Sequence, residues 1–444
     1  MMPRLRVIGA GLAGCEAAWQ AARLGVEVEL WEMKPQKHTP AHHADTFAEL
    51  VCSNSLRSNQ LSNAVGVLKE ELHRLGSLTL EAAYATQVPA GGALAVNREA
   101  FSAYITEKIK SHPLISVRVG EVTELDTAYP TVVATGPLTS DALAEEISRL
   151  VGGGELHFYD AAAPIVDFQT IDMTKAFFAS RYGKGDGDDY LNCPMTEEEY
   201  QAFYEALSTA EVAPLKDFDA EGQKDLTVFE GCMPVEVMAK RGRDTLRFGP
   251  MKPVGLPVPA TGRDAYATVQ LRRENLEGSM YNLVGFQTHL TFGEQRRVFR
   301  MIPGLENAEF LRYGVMHRNT YLNAPGLLTS DYGCKPLPNI SFAGQMTGVE
   351  GYVESCGSGF VAGTQMARRL LGLERLPLDD TTVLGAMGRY VEMGTNSKYQ
   401  PMNANFGILA PLDRKIKGGK KYRNEAYAER ALARIDEIVE KYYQ

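Results

Sequence analysis

Two cysteines lie in segments where a thiol could act as a nucleophile. Cys52 lies in "AELVCSNSLRSN", where strand-like residues lead into a polar loop, and Cys232 lies in "TVFEGCMPVEVM", between an apolar run and a proline. A reactive thiolate needs a nearby cation, base or helix N-terminus. Arg57 follows the first thiol, and Lys240 and Arg241 follow the second. Cysteine is also a common core residue, so both roles stay open from these residues alone.

A glycine motif at the N-terminus predicts a dinucleotide site. A strand-like run (5–8) leads into G-x-G-x-x-G, then an Ala-rich helix (15–24) and a second strand (26–31) that stops at Glu32. The motif consists of Gly9, Ala10, Gly11, Leu12, Ala13 and Gly14. This order of strand, glycine turn, helix and acid is much more specific than the glycines alone.

Each part of the motif has a physical task. Gly9 allows the tight turn, Gly11 lets the backbone approach a pyrophosphate, and Gly14 lets helix and strand pack closely. The helix N-terminus offers unpaired N–H groups to the phosphates. Glu32 lies where a carboxylate accepts ribose hydroxyls, and its charge disfavours the 2′-phosphate of NADP.

Two later segments favour FAD as the dinucleotide. The strand 131–134 ends in a Thr135-Gly136 turn, which is similar to a turn near the cofactor of many flavoproteins. A strand over 340–343 ends at Gly344-Gln345, and a glycine-rich stretch leads to a helix expected from about Gly359 to Leu371. The second turn again offers a place for phosphate or a ring edge. We therefore expect one FAD site built from both chain ends.

The expected architecture follows from this split motif. A chain of 444 residues exceeds the usual size of one domain. We predict an α/β fold, with a Rossmann-like FAD-binding domain built from residues 1–165 and 311–444. An α+β insertion domain over 166–310 would face the substrate. No second dinucleotide fingerprint is visible in the insertion.

Cysteine spacing, the lengths of apolar runs and the net charge each argue against certain classes of protein. The six cysteines contain no C-x-x-C pair, so neither a metal site nor a dithiol redox site is predicted, and sparse thiols suit the cytoplasm. No signal peptide is visible, and no apolar run is long enough to span a membrane. A formal net charge of −9 argues against indiscriminate nucleic-acid binding but leaves room for local basic surfaces.

Five stretches identify a family resemblance. They are "VIGAGLAGCEAAWQ", "HHADTFAELVCSNSLRSN", "FEGCMPVEVMA", "VGFQTHLTFGEQRRVFRMIPGLENAEFLRYGVMHRNTYLNAP" and "FAGQMTGVEGYVESCGSG". Over nearly its whole length the chain resembles the folate- and FAD-dependent tRNA uracil-5-methyltransferases, which are related to the flavoprotein that modifies the tRNA wobble uridine.

The resemblance implies an activity and its co-substrates. It implies 5-methyluridine formation in the T loop of tRNA, with methylenetetrahydrofolate as carbon donor and FAD reduced by NAD(P)H. Uracil C5 is a poor nucleophile until a thiolate adds at C6, and the transferred methylene must be reduced, which a flavin can do. The expected partners are tRNA, folate and NAD(P)H, with no membrane and no obligate protein partner.

The resemblance also assigns residues. Both Cys52 and Cys232 match functional cysteines; we favour Cys232 as the uracil nucleophile and give Cys52 proton transfer or flavin support. Around the flavin we add Asn54, Arg57, Gly351, Tyr352 and Glu354. For folate we expect stacking by Phe286 and hydrogen bonds from Gln287 and His289.

Two basic groups are candidates for tRNA phosphates. They are Arg296 and Arg297 in the insertion, and Arg414, Lys415, Lys417, Lys420, Lys421 and Arg423 near the C-terminus. Solvated surface charge is the commoner fate of such clusters. Three alternatives stay open: a wobble-uridine-modifying flavoprotein, a flavin-dependent disulfide reductase, and a non-catalytic flavin-containing RNA-binding module. The missing C-x-x-C pair disfavours the second.

Overall fold

The fold is taken from a computed structural model of the chain. It describes residues 3–152, 155–161, 163–183, 188–213, 233–274, 278–314, 316–394, 399, 401–414, 416 and 419–443. Cys232, Lys415 and Lys417 lie outside these described residues.

A parallel sheet carries the nucleotide motif. It consists of β1 (Arg4–Ile8), β2 (Glu27–Glu32), β6 (Ile115–Val119), β7 (Thr131–Val133) and β18 (Ile340–Phe342), in the order β18-β7-β1-β2-β6. Ile340 pairs with Thr131 and Arg6 pairs with that same residue from the other side. The C-terminal strand is therefore hydrogen-bonded into the N-terminal sheet, which confirms the predicted α/β class and parallel sheet.

Helices and a small sheet complete this part of the molecule. The helices are α1 (Leu12–Arg23), α2 (Ala64–Arg74), α3 (Leu78–Ala85), α4 (Arg98–Ser111), α5 (Asp141–Val151), α10 (Tyr352–Leu370), α11 (Val383–Met393) and α12 (Lys420–Tyr442). The small antiparallel sheet contains β3 (Ser55–Ser58), β5 (Ala93–Val96) and β4 (Gln87–Val88), in that order.

Glycines let α1 and α10 pack backbone to backbone. A Cβ on Gly359 would stand 2.1 Å from the Ala13 carbonyl oxygen, and one on Gly363 would stand 2.5 Å from Ala17 Cα. The prediction that the helix starts near Gly359 is wrong, since α10 starts at Tyr352. The stretch up to Gly359 was interpreted as a glycine-rich turn, but Gly357 and Gly359 are both helical positions in close contact with other parts of the fold.

The insertion has its own antiparallel sheet. Its strands are β10 (Phe177–Phe178), β11 (Tyr190–Met195), β14 (Ala267–Arg273), β15 (Met280–Leu283), β9 (Ile165–Asp167) and β16 (Phe310–Arg312), in that order. Helices α6 (Glu197–Ser208), α7 (Val235–Lys240), α8 (Thr245–Phe248) and α9 (Phe292–Phe299) and the hairpin β12 (Pro257–Val258) with β13 (Arg263–Asp264) complete it.

Two antiparallel strands connect the part with the parallel sheet to the insertion. β8 (Glu155–Ala161) leads into the insertion, β17 (Met316–Leu322) leads out, and the two pair antiparallel. One hydrophobic core draws on residues 5–147 and 321–438, and a second on residues 166–308. The predicted boundaries at 165/166 and 310/311 remain a prediction that is compatible with these cores. Among the described helices, none combines the length and apolar character needed to cross a bilayer.

Candidate active site

A cavity of about 420 Å³ lies at the carboxyl ends of β1, β2, β7 and β18. Ligands of open parallel sheets bind at this edge. Predicted residues that line the cavity are Gly9, Ala10, Gly11, Leu12, Ala13, Glu32, Cys52, Arg57, Thr135, Gly136, Gln287, Gly344, Gln345, Gly351 and Tyr352. The structure therefore brings residues from both chain ends and from the insertion to one cavity.

The three motif glycines have different surroundings. Gly9 has a φ of +96°, and a Cβ there would stand 2.7 Å from the Ala134 carbonyl oxygen. A Cβ on Gly14 would stand 1.7 Å from the Gly9 carbonyl oxygen, so Gly14 serves packing and does not line the cavity. At Gly11 no protein atom would lie within 4 Å of a Cβ. Gly11 thus has open space beside it on the cavity side of the turn.

The N-terminus of α1 has anion-binding character. Its N-cap is Gly11, no side chain caps it, and its first turn contains no acid. The first N–H groups of such a helix need a partner, and a phosphate provides one. This arrangement fits the pyrophosphate of a dinucleotide.

Glu32 is held at the end of β2. One carboxylate oxygen accepts the Ala10 N–H at 2.9 Å and the other accepts the Lys34 N–H at 2.9 Å. Each oxygen keeps lone-pair capacity for a further donor. The carboxylate lines the cavity, so it can accept hydrogen bonds from ribose hydroxyls.

The turns after β7 and β18 close the cavity from the other side. The Thr135 and Thr139 hydroxyls lie 2.6 Å apart, and Gln345 donates to the Glu350 carboxylate at 2.7 Å. Glu350 is buried and lines the cavity, but the sequence analysis missed it. Its only sequence signal was an acid placed among glycines. Gln345 is therefore hydrogen-bonded to an acid that also lines the cavity.

Tyr352 connects α10 to the loop that contains Cys52. The Tyr352 hydroxyl oxygen accepts the backbone N–H groups of Cys52 at 2.7 Å and of Ser53 at 3.1 Å. Burial, with a smaller contribution from Cys52, raises the pKa of Tyr352 well above its ordinary value. The phenol therefore stays neutral at physiological pH and holds the cysteine backbone in place.

Two half-buried arginines lie against the same loop, and neither was predicted from the sequence. Arg98 donates to the Leu50 carbonyl at 2.7 Å, and Arg312 donates to the Val51 carbonyl at 3.0 Å. Burial opposes the charge of Arg98, but Glu274 and then Tyr352 and Cys52 raise its pKa. Arg98 also pairs with the Glu274 carboxylate at 2.7 Å, so an ion pair lies beside the loop that contains Cys52.

An ion pair fixes Arg57 at the cavity wall. Arg57 has a φ of +62°, and its guanidinium pairs with the buried Glu354 carboxylate. Glu354 does not itself line the cavity, so its role is to orient Arg57 and to accept the Ala404 N–H at 2.9 Å. Lys69 holds the same strand by donating to three carbonyls, including that of Arg57 at 3.1 Å. Burial and the Arg57 charge lower the pKa of Lys69 to about 7.

The prediction that Asn54 binds the cofactor is wrong for its side chain. Its amide group donates to the carbonyls of Val96 at 3.1 Å and Arg273 at 2.9 Å, and its oxygen accepts from Arg272 at 2.9 Å. Asn54 is fully buried and does not line the cavity. Its side chain instead joins the two parts of the molecule.

Arg272 is a buried cation that lines the cavity from the insertion side. It also donates to the Ser53 hydroxyl at 2.7 Å, and burial lowers its pKa. Its sequence signal was an arginine directly after the alternating apolar residues Ala267, Val269 and Leu271 of β14. A fully buried charge with a cavity face is a strong candidate for contact with a polar ligand.

The three residues predicted to bind folate have different surroundings in the structure. Gln287 lines the cavity. Phe286 is fully buried between Phe203 and Phe299, at centroid distances of 6.2 and 5.6 Å, so its predicted pterin stacking is wrong. An aromatic next to polar residues is typical of a ligand site, but here the core of the insertion takes the ring. His289 is half-buried away from the cavity lining, and burial lowers its pKa.

The predicted tRNA groups lie on different helices. Arg296 and Arg297 lie on α9, where Arg296 donates to the Tyr313 hydroxyl and Arg297 pairs with Glu294 at 2.6 Å. Lys420, Lys421 and Arg423 are exposed in the first turn of α12, and Arg414 is exposed before it. The first group therefore lies on a helix of the insertion, and the described residues of the second lie on or before the C-terminal helix.

The other described thiols are packing residues. Cys15 is buried and bonds the Ala10 carbonyl at 3.3 Å, and Cys356 is buried 3.5 Å from Glu16. Burial raises the pKa of Cys193 to about 12 and also raises that of Cys334. Buried neutral thiols of this kind are unreactive, so Cys52 is the candidate for chemistry among the described cysteines.

Comparison with known proteins adds independent information. The family model described as "Glucose inhibited division protein A" matches residues 4–374. Two solved structures of Aquifex aeolicus GidA match with TM-scores of 0.69 and 0.70 at 18% identity, covering 98% and 99% of this chain and 73% and 76% of those chains. This similarity establishes the shared fold.

Curated relatives are much closer in sequence. A protein of Acetivibrio thermocellus is 59% identical over 442 residues and covers 100% of both chains. One of Halalkalibacterium halodurans is 57% identical over 99% of both chains, and one of Geobacter sulfurreducens is 58% identical over 98% of this chain and 99% of its own. All three are named methylenetetrahydrofolate–tRNA-(uracil-5-)-methyltransferase TrmFO. The chain therefore belongs to the TrmFO family, within the wider GidA group.

Proposed function

We propose that this protein is a methylenetetrahydrofolate-dependent tRNA (uracil-5-)-methyltransferase that uses FAD and forms 5-methyluridine in the T loop. The observation that carries the proposal is full-length identity of 57–59% to relatives of that name. A cavity that joins a dinucleotide motif to Cys52 and to the insertion supports it.

The overall reaction has a simple balance. Uracil loses its C5 hydrogen and gains a methyl group, whose carbon and two hydrogens come from the methylene of the folate. The third hydrogen comes as a hydride, for which we propose NAD(P)H as the source. When bound, FAD supplies the two-electron chemistry that this step requires.

The cavity residues fit FAD in their chemistry. Gly11 and the first turn of α1 would hold the pyrophosphate, and Glu32 would accept the ribose hydroxyls. The uncapped N-terminus of α10, with Gly351 as its N-cap, lies at the same cavity. It offers further N–H groups to an electron-rich ring edge.

The surroundings of Cys52 suit a role in acid–base or nucleophilic catalysis. Tyr352 fixes the backbone of Cys52, and Arg98 places a positive charge nearby. We propose that Cys52 moves a proton or supports the flavin. Cys232 stays our candidate for the uracil C6 nucleophile, on the strength of the sequence motif alone.

Substrate residues are proposed from their positions. Gln287 and Arg272 would contact folate from the insertion side of the cavity. Cations in the first turn of α12 oppose the positive end of the helix, and the pair of Lys421 with Glu425 at 4.0 Å is exposed and weak. Helix stability therefore does not account for Lys420, Lys421 and Arg423. Binding of tRNA phosphates would explain them. The cytoplasmic location stays a prediction.

The alternatives have less support. GidA structures share the fold at 18% identity, while the methyltransferase relatives match the whole chain at three times that identity. A non-catalytic RNA-binding module would not need a fixed Cys52 beside two half-buried arginines.

One experiment tests the proposed function against these alternatives. Purified protein is incubated with an unmodified tRNA transcript, methylenetetrahydrofolate and NADH, and the RNA is digested and analysed for 5-methyluridine. The proposal expects product that depends on the folate. A wobble-position product or a bound flavin without turnover would favour an alternative.

A further inference from the structure

A surface groove of about 740 Å³ lies on the insertion and shares no lining residue with the main cavity. We call it the α7–α8 groove; it is lined by Met233, Met238, Arg241, Gly242, Arg243, Asp244, Thr245, Phe248 and Gly249.

The groove presents an aromatic ring to solvent. Phe248, the last residue of α8, is 83% exposed, the most of any large apolar side chain among the described residues. The segment that follows also exposes Val254, and the exposed Tyr182 lies against Gly255. Burying Phe248 on a partner would remove an unfavourable contact with water.

The segment that carries this ring is rich in cations. Residues 240–252 contain five cations, Lys240, Arg241, Arg243, Arg247 and Lys252, and one carboxylate, Asp244. The whole chain has a net charge of −9, so this segment has the opposite sign to the molecule. A polyanion is the complementary partner.

Two ion pairs at the groove are accessible to solvent. Arg243 pairs with Glu197 at 3.1 Å and Arg247 pairs with Asp244 at 2.8 Å. Exposed pairs contribute little to stability, so phosphates can replace these carboxylates at low cost. The Arg247 guanidinium also lies 3.7 Å from the centroid of the Tyr266 ring, which fixes its position.

The groove is rigidly connected to the main cavity. The Val235 N–H donates to the Gln287 carbonyl at 2.8 Å, and the buried Glu236 carboxylate accepts the Thr288 hydroxyl at 2.9 Å and the His289 N–H at 2.8 Å. Helix α7 is thereby held against the segment whose Gln287 lines the cavity. A ligand in the groove would lie beside the cavity wall.

We propose that the α7–α8 groove binds an unpaired stretch of the tRNA substrate, with a base stacked on Phe248 and backbone phosphates on the surrounding cations. Single-stranded RNA combines exposed base faces with regularly spaced charge, and exposed aromatics among cations are the matching surface. A duplex offers the charge without an accessible base face. This inference rests on the proposed function, since it names the surface by which that substrate is held.

The test compares variants in tRNA binding. The dissociation constant of an unmodified tRNA transcript is measured at several salt concentrations for wild type, Phe248→Ala, Phe248→Trp and Lys252→Gln. The exposed Leu373→Ala on the other part of the molecule is the matched control. Melting temperatures check that each variant folds.

The expected results separate stacking from charge. Phe248→Ala weakens binding roughly tenfold or more at every salt concentration, whereas Phe248→Trp and Leu373→Ala bind like wild type. Lys252→Gln weakens binding and reduces the salt dependence by about one phosphate contact.

Two results would overturn the groove proposal while the methyltransferase function stands. One is a wild-type dissociation constant for Phe248→Ala in a protein that methylates tRNA. The other is a change of oligomeric state in Phe248→Ala without a change in tRNA binding, which would make the groove a protein interface. A wild-type protein that neither binds nor methylates tRNA would instead contradict the proposed function itself.

Discussion

The backbone N–H of Cys52 donates to the Tyr352 hydroxyl oxygen at 2.7 Å, across 300 residues of sequence. The same oxygen accepts the Ser53 N–H at 3.1 Å. The first residue of α10 thus fixes the loop that contains the candidate thiol, and the loop cannot move without losing two hydrogen bonds.

Replacing Tyr352 with Phe removes the acceptor for both N–H groups. We expect a loss of about 1–3 kcal/mol in the free energy of unfolding, because two donors lose a buried partner. Methylation should slow by roughly ten- to a hundredfold, because the Cys52 position is no longer fixed. Urea unfolding and single-turnover methylation measure the two effects.

The control for that variant is Tyr104→Phe, which removes a surface hydroxyl bonded to Glu81 at 2.5 Å. It should change neither quantity measurably. Equal turnover of Tyr352→Phe and wild type would show that this hydrogen bond does not position the site.

Gly11→Ala and Gly14→Ala should fail in different ways. An Ala Cβ at Gly11 meets no protein atom within 4 Å, so this variant should fold but bind FAD roughly tenfold or more weakly, because the methyl group occupies the phosphate side of the turn. An Ala at Gly14 would stand 1.7 Å from the Gly9 carbonyl oxygen and should prevent folding or lower the melting temperature strongly.

Circular dichroism and flavin titration distinguish the two glycine variants. Normal FAD affinity in a folded Gly11→Ala protein would contradict the assignment of this turn to the pyrophosphate.

Glu354→Gln should weaken FAD binding, although Glu354 itself does not line the cavity. The change leaves the Arg57 guanidinium, which is 37% exposed, without its buried carboxylate partner, and we expect a loss of about 1–3 kcal/mol in the free energy of unfolding. We expect weaker FAD binding through a displaced Arg57. Isothermal titration with FAD measures it, and Glu146→Gln, which breaks the surface pair with Arg149, is the control. Unchanged FAD affinity in Glu354→Gln would show that Arg57 does not contact the cofactor.

Glu71 should give the protein a specific pH dependence of stability. Its carboxylate accepts the Val383 and Leu384 N–H groups at the start of α11, and burial raises its pKa from 4.5 to about 7. Between these pH values the folded state keeps a proton that the unfolded state has lost. Stability should therefore fall as the pH rises from 4.5 to 7, by on the order of 3 kcal/mol.

Urea unfolding of wild type and Glu71→Gln at pH 5 and pH 7.5 tests this. The variant should lack that part of the pH dependence, while the exposed neighbour Glu70→Gln should keep it. Identical pH dependence in wild type and Glu71→Gln would refute the raised pKa.

Local patterns predicted the strands and the helix around the glycine motif well. The strand, glycine turn, helix and Glu32 occur within one continuous segment, so their spacing alone specifies how they meet. The strand at Ile340 was also visible, although its pairing with Thr131 joins distant parts of the chain.

Residues whose partners are distant in sequence were harder to assign. Asn54 meets Arg272 across 218 residues and Arg98 meets Glu274 across 176, so no local pattern showed these bonds. Phe286 looked like a ligand contact because its sequence neighbours are polar, while the rings that enclose it come from α6 and α9. Tertiary packing decided each of these positions.

An isotope-labelling experiment tests the proposed function by identifying the source of the methyl carbon in 5-methyluridine. Wild-type protein is given unmodified tRNA, NADH and methylenetetrahydrofolate labelled in its methylene carbon, with unlabelled S-adenosylmethionine present, and the digested RNA is analysed by mass spectrometry. We expect labelled 5-methyluridine at the T-loop position and none when the folate is omitted. Unlabelled 5-methyluridine, or no methylated uridine at all, would contradict it.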